Sequence, residues 1–248
     1  MIDPDVISHV AEVVRVEAAT QSRFAALYRA DVVTHAVPFV GDITTATHIT
    51  VGVNPSATEF IDRRWPCSMT TVELANRLLA YFDSPVPPHP WFAGWEAALS
   101  LLGVSYKAGA AHLDLSPRAT ASMGSTDQGA FAEMISQDIA TFFAALSLCR
   151  SVRGLLLAGC VTKRWYAHHF LRRAAPRFGF TLSELSSTTG QARTARLMLK
   201  GPSISLPVFF CSVSPSARQG VQLLHARVRE HAAWIQTWPL RLVSRPPT

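Results

Sequence analysis

Asn54, Asp114, Ser212 and Ser214 are polar residues standing where short apolar runs end. One run, "THITVGV", goes out into Asn54-Pro55-Ser56, and a second runs into Asp114-Leu115-Ser116-Pro117-Arg118. The run "VRGLLLAG" leads into Cys160-Val161-Thr162, and "LPVFFC" leads into Ser212-Val213-Ser214-Pro215-Ser216. An amide both donates and accepts hydrogen bonds, an ionised carboxylate only accepts, and a hydroxyl can do either. A proline just past a strand ends the ladder and fixes the turn. Three of these four exits carry one, so the polar residues gather at one rim. Serine and proline are also ordinary turn formers. The repeated (N/S)-P-S pattern at the first and last exits favours a site over punctuation.

The elements that must position this rim follow from hydrophobic periodicity. Residues 4–36 read as helical, as do "TTVELANRLLAYF" (70–82), "WFAGWEAALSLLG" (91–103) and residues 127–149, with Ser125 or Thr126 as N-cap. Residues 161–178 form a basic helix and 217–238 the last one. Residues 181–205 are Ser/Thr-rich and read as a long loop or a hairpin. Apolar runs separated by helices predict parallel pairing with helices on both faces. The expected fold is a three-layer α/β/α sandwich with a central four-stranded parallel sheet. It forms one domain over 1–248, with 1–40 as an N-terminal helical extension. In such folds ligands bind beyond the carboxyl ends of the strands.

Composition narrows the function. With 248 residues, 48% hydrophobic and 16% charged, the chain can bury one large core. No apolar run is long enough to span a membrane, and the N-terminus does not resemble a secretory signal. The four cysteines form no CxxC pair and read as free thiols in a reducing cytoplasm. No ligands cluster at metal spacing, so neither metal nor cofactor is expected. Charge is uneven. Residues 1–138 hold 8 Lys+Arg against 15 Asp+Glu, whereas 139–229 hold 13 against the single acid Glu184. A solvated face would mix its signs. The one-sided block points to a polyanion, most simply a nucleic-acid backbone.

The exits resemble a known family. "GVNPS" and "SVSPSARQG" are similar to the two signature motifs of the uracil-DNA glycosylase superfamily, closest to its mismatch-specific and single-strand-selective branches. "DLSPRAT" resembles the superfamily's second-strand segment, and "TVELANRLLAYF" the helix that follows the first motif. The resemblance spans roughly residues 45–235 and implies an enzyme that flips a base out of DNA and hydrolyses its N-glycosidic bond.

Carried over residue by residue, Asn54 would hold the attacking water through its side-chain carbonyl. Gly52 and Pro55 would shape the pocket floor, and Phe60, with Trp65 as rival, would stack on the base. Ser212 stands where many members have a histidine that donates to the leaving base, which implies slow chemistry or reliance on backbone donors. Ser214 would line the base pocket, and Ser216, at a helix start, would meet a DNA phosphate. Arg218 would sit where the superfamily inserts a wedge into the minor groove. Arg118, Lys163 and Arg164 would contact the backbone, although the helix of Lys163, Arg164, Arg172 and Arg173 also reads as a solvated face. Asp114 replaces an asparagine that reads uracil by donating and accepting. Ionised, it fits an edge with two donors, guanine-like or protonated cytosine-like; protonated, it restores uracil reading. It could instead bond Arg118 or Thr120 locally.

The implied partner is DNA, double- or single-stranded, met by a cytoplasmic monomer. The alternative is a catalytically weak or inactive nucleic-acid-binding protein on the same frame. A third reading is an α/β hydrolase or nucleotide-binding enzyme. It lacks both a GxSxG elbow and a GxxxxGK[ST] loop. It would need a histidine base, with His112, His168 and His169 as candidates, the last two expected on a helix surface.

Overall fold

The structure, a computed structural model, describes residues 2–28, 36–59, 69–121, 127–159, 167–189, 192–202, 204–215 and 218–238. The strands are β1 (Phe39–Val40), β2 (His48–Gly52), β3 (Ala110–Asp114), β4 (Gly154–Ala158), β5 (Thr181–Ser187), β6 (Thr194–Gly201) and β7 (Ile204–Cys211). The helices are α1 (Pro4–Thr20), α2 (Thr71–Leu79), α3 (Pro90–Ser100), α4 (Gln128–Leu148), α5 (Ala167–Ala174) and α6 (Arg218–Gln236), with short 3-10 turns at Gln21–Leu27, Tyr81–Asp83 and Ala175–Phe178.

The chain is α/β, but its sheet is not the expected four-stranded parallel one. It is a mixed sheet of seven strands in the order β1-β3-β2-β4-β7-β6-β5. The four apolar runs do form a parallel centre, β3-β2-β4-β7. Antiparallel strands extend it at both ends. β1 is two residues long, too short to show a period. The Ser/Thr-rich stretch is the hairpin β5–β6, and its outer strand is exposed except at Leu182. An edge strand with one wet face needs no apolar run, so its composition resembles a loop.

Helices lie on both faces. Phe209 meets His231 of α6 with ring centroids 5.2 Å apart, and the next residue, Phe210, meets His168 of α5 at 4.2 Å. Adjacent strand residues point to opposite faces, so α5 and α6 are on opposite sides of the sheet. On the α6 side, Trp91 and Phe92 of α3 pack on His112 of β3. On the other, α1 packs on α4 and α4 on α5. α2 opens with a capping box, in which Thr70 Oγ1 accepts from Glu73 N and Glu73 Oε2 accepts from Thr70 N. The N-cap of α4 is Asp127, not Ser125 or Thr126; its carboxylate accepts from Gly129 N and Ala130 N. Cys149 and Cys211 are buried thiols outside any disulfide, and Cys67 and Cys160 lie outside the described residues. No helix among the described residues is long and apolar enough to cross a membrane.

His168 is buried against the sheet and is not a surface residue. His9 and His48 are also largely withdrawn from water; His48 is stacked on Trp238 at 5.9 Å, with its Nδ1 3.0 Å from Thr47 Oγ1. Burial disfavours the cationic ring and lowers the pKa of His9 and His48 to about 4 and of His168 to about 3. Nearby charge lowers it further, from Arg153 at His48 and chiefly from His169 at His168. The unfolded chain takes up these protons below about pH 6.5, whereas the folded chain resists them until near pH 4. Stability should thus be full above pH 6.5 and fall as pH drops toward 4, by roughly 3 kcal/mol for His48 alone. Urea denaturation at pH 7 and pH 4.5 checks this. His48→Phe, which can keep the stack on Trp238, should narrow the gap between the two pH values.

Candidate functional site

The backbones leaving β2 and β3 stay joined beyond the sheet. Leu115 N donates to Gly52 O (3.2 Å), Ser116 N to Val53 O (3.0 Å), Thr120 N to Pro55 O (3.3 Å) and Ala57 N to Thr120 O (3.0 Å). Pro55 and Pro117 have no N–H of their own, so the stitching runs around them. The polar residues of both exits are therefore held on a hydrogen-bonded frame.

A cavity of about 310 Å³ opens at this frame. Gly52, Asn54, Pro55, Asp114, Ser212 and Ser214, all expected at a site, line it together. All four parallel strands contribute, β4 through Ala158 and Gly159. Arg218 opens α6 on the surface, three residues beyond the lining Pro215. Phe60, Trp65, Ser216, Lys163 and Arg164 lie outside the described residues. Among the described residues, the aromatics lining the cavity are Phe39, and Trp91 and Phe92 at the start of α3, beside His89. Glu59 adds a second carboxylate. α3 is pressed against the last loop at Gly94, where a Cβ would lie 2.1 Å from the Pro215 carbonyl oxygen.

Asn54 is pinned by its amide nitrogen. Nδ2 lies within hydrogen-bond distance of three acceptors, Pro55 O (3.0 Å), Arg118 O (3.0 Å) and Thr120 Oγ1 (2.8 Å), which its two N–H groups share. Two of these acceptors are carbonyls, which can only accept, so the orientation of the amide is unambiguous. Among the described residues no donor is bonded to Oδ1, which leaves the acceptor end of the amide available.

Asp114 has a different setting from the local bonds to Arg118 or Thr120. Its Oδ2 is 3.1 Å from His112 Nε2, with the two side chains only 8% and 5% exposed. His112 Nδ1 is 3.0 Å from Thr50 Oγ1, which is 2.7 Å from the Tyr106 hydroxyl. With both ring nitrogens engaged, His112 orients the carboxylate and is not placed as a free base. Both His112 and Asp114 point to the α3 face because they are two apart on one strand. That H-x-D spacing was the signal available for the pair. Trp91, Phe92 and Glu59 had no comparable signal, since they reach the cavity by tertiary packing.

Arg118 corrects the expected phosphate contact. Its side chain is 1% exposed. Nε donates to Asp138 Oδ2 (2.7 Å), NH1 to the Tyr28 hydroxyl (2.9 Å) and to Glu17 O (3.3 Å), and NH2 to Thr20 Oγ1 and Asp138 Oδ1. Ser116 Oγ completes the carboxylate of Asp138 at 2.6 Å. The guanidinium therefore pins α1, α4 and the β3 exit together. The basic block is also partly tied within the protein, with Arg172 on Glu184 and Arg196 over the Trp234 ring. Among the described residues, no three or more His, Cys, Asp or Glu side chains cluster as a metal site.

Compared with protein-family models, curated proteins and solved structures, the chain matches none of them.

Two substitutions test this geometry. A Cβ on Gly52 would sit 2.4 Å from Asp114 Oδ1 and 3.1 Å from the His112 ring. Gly52→Ala should displace the pair, seen as altered ring-nitrogen shifts of His112 by NMR. Arg118→Met should lower unfolding stability by about 3–5 kcal/mol by stranding the Asp138 carboxylate. Arg118→Met combined with Asp138→Leu should recover much of that loss in urea denaturation.

Proposed function

We propose that this chain is a DNA glycosylase-like hydrolase on a uracil-DNA glycosylase-like α/β/α frame, acting on a deaminated, damaged or modified base flipped out of DNA. The observation that carries the reading is Asn54, whose nitrogen is held by three acceptors while Oδ1 remains available beside the cavity. Such an amide can accept a hydrogen bond from a water and position it, though it is a poor base. That suits glycosidic cleavage in which the C–N bond breaks largely before water attacks the oxocarbenium-like sugar. The cavity lies at the small end of ligand pockets, the scale of a ring system. Trp91 and Phe92 supply the stacking surface. Arg218 and the acid-poor block 139–229 supply charge for double- or single-stranded DNA. The protein acts in this reading as a cytoplasmic monomer without cofactor.

A second reading, a nucleic-acid-binding protein with little or no catalysis, is favoured by Ser212 in place of a stronger donor. It is also favoured by two carboxylates, Asp114 and Glu59, where negative charge would grow on the leaving base. An oligonucleotide panel carrying uracil, hypoxanthine, xanthine, thymine mismatches and 5-substituted pyrimidines, read by cleavage at abasic sites, separates the two. The hydrolase reading expects release from at least one member and a loss of about a hundredfold in Asn54→Ala. Unchanged release in Asn54→Ala would remove the assigned role of that residue. Tight, salt-dependent binding without release from any substrate would establish the second reading.

A further inference from the structure

The buried chain Tyr106–Thr50–His112–Asp114 ends in the cavity, and its protons can be placed by elimination. Tyr106 keeps its hydroxyl proton, because burial pushes its pKa well above the usual value. Thr50 has one proton to give, either to His112 Nδ1 (3.0 Å) or to Ala111 O (3.3 Å). In the first case the ring is neutral and its proton is on Nε2. In the second, Nδ1 donates to Thr50. With Nε2 as the donor, the 3.1 Å contact makes Asp114 Oδ2 its acceptor. Asp114 is thereby held as a carboxylate, an acceptor with lone pairs remaining on both oxygens. Its rotation is limited as well, since Oδ1 presses over Gly52, where any Cβ would collide.

We infer that Asp114, fixed by His112 as a pure acceptor, selects a ligand edge with two adjacent donors, a ring N–H beside an exocyclic amino group. This rests on reading the cavity as a base pocket. Uracil presents acceptor, donor, acceptor, so pairing its N–H brings a carbonyl oxygen against the second carboxylate oxygen. A guanine-like edge presents both donors while neutral. A cytosine-like edge presents them once its ring nitrogen is protonated. The two share one chemistry and differ in pH dependence. Among the described residues, Glu59 from the β2 exit and His89 from the start of α3 also line this cavity, and Tyr106 lies behind the Thr50 hydroxyl.

Calorimetric titration of the full chain with 2′-deoxyguanosine, 2′-deoxycytidine, 2′-deoxyinosine and 2′-deoxyuridine tests the inference without requiring bond cleavage. Deoxyguanosine, or deoxycytidine below pH 6, should bind at least tenfold tighter than deoxyuridine. Deoxyinosine, lacking the amino group, should fall between them. Affinity that is flat with pH identifies the guanine-like source, and affinity that rises as pH falls identifies the cytosine-like one. The near-isosteric Asp114→Asn should reverse the preference toward deoxyuridine. His112→Ala, which leaves the carboxylate without its ring partner, should weaken donor-edge binding. Equal or tighter binding of deoxyuridine by the unaltered chain, an unchanged order in Asp114→Asn, or no binding of any nucleoside would overturn the inference. Failure of the hydrolase reading shows elsewhere, as absent abasic sites despite selective nucleoside binding.

Discussion

The guanidinium of Arg118 is the point on which the site's construction depends. Burying a cation costs several kcal/mol unless its donors are satisfied and its charge is paired. Here Asp138 pairs it, the Tyr28 hydroxyl, Thr20 hydroxyl and Glu17 carbonyl take its remaining reach, and the Phe24 ring packs 5.2 Å from Cζ. Such a set of partners is satisfied in one arrangement only. The backbone of Arg118 is therefore fixed, and its carbonyl is one of the three acceptors that aim Asn54. A buried ion pair is weak as a source of stability and useful as a source of geometry, and this one is placed where geometry matters.

Much of the centre of the fold was readable from pattern alone. β2, β3 and β4 are buried throughout because both sheet faces are covered, and their largely apolar runs stand out. The outer parts escaped for physical reasons. β1 exists only because β3 has a free edge for Phe39 and Val40 to pair with. β5 is exposed except at Leu182, so its serines and threonine resemble those of a loop. A boundary such as Asp127 depends on which of several good capping side chains has the right backbone angle, and composition does not rank them.

The rim of the site was also readable, because proline and polar residues past a strand have few other uses when they recur. Arg118 was not, since an arginine in a loop after a strand looks the same whether it faces solvent or an aspartate twenty residues away. His112 illustrates the reverse error. As an isolated histidine it suggests a base, but its neighbours on the same sheet face, Thr50 of β2 and Asp114 of β3, occupy both nitrogens. Function in this pocket is therefore written in pairs of residues rather than in single types.

The first turns of the chain belong to this arrangement. Residues 1–40 read as an appendage to an α/β core, yet Glu17, Thr20, Phe24 and Tyr28 form most of the chamber around the Arg118 side chain. α1 and the turn after it are accordingly packed into the frame of the site rather than laid against its outside. Sequence change in that helix would be constrained by a pocket it never touches, and a relative with a different N-terminus would need another way to hold the β3 exit in place.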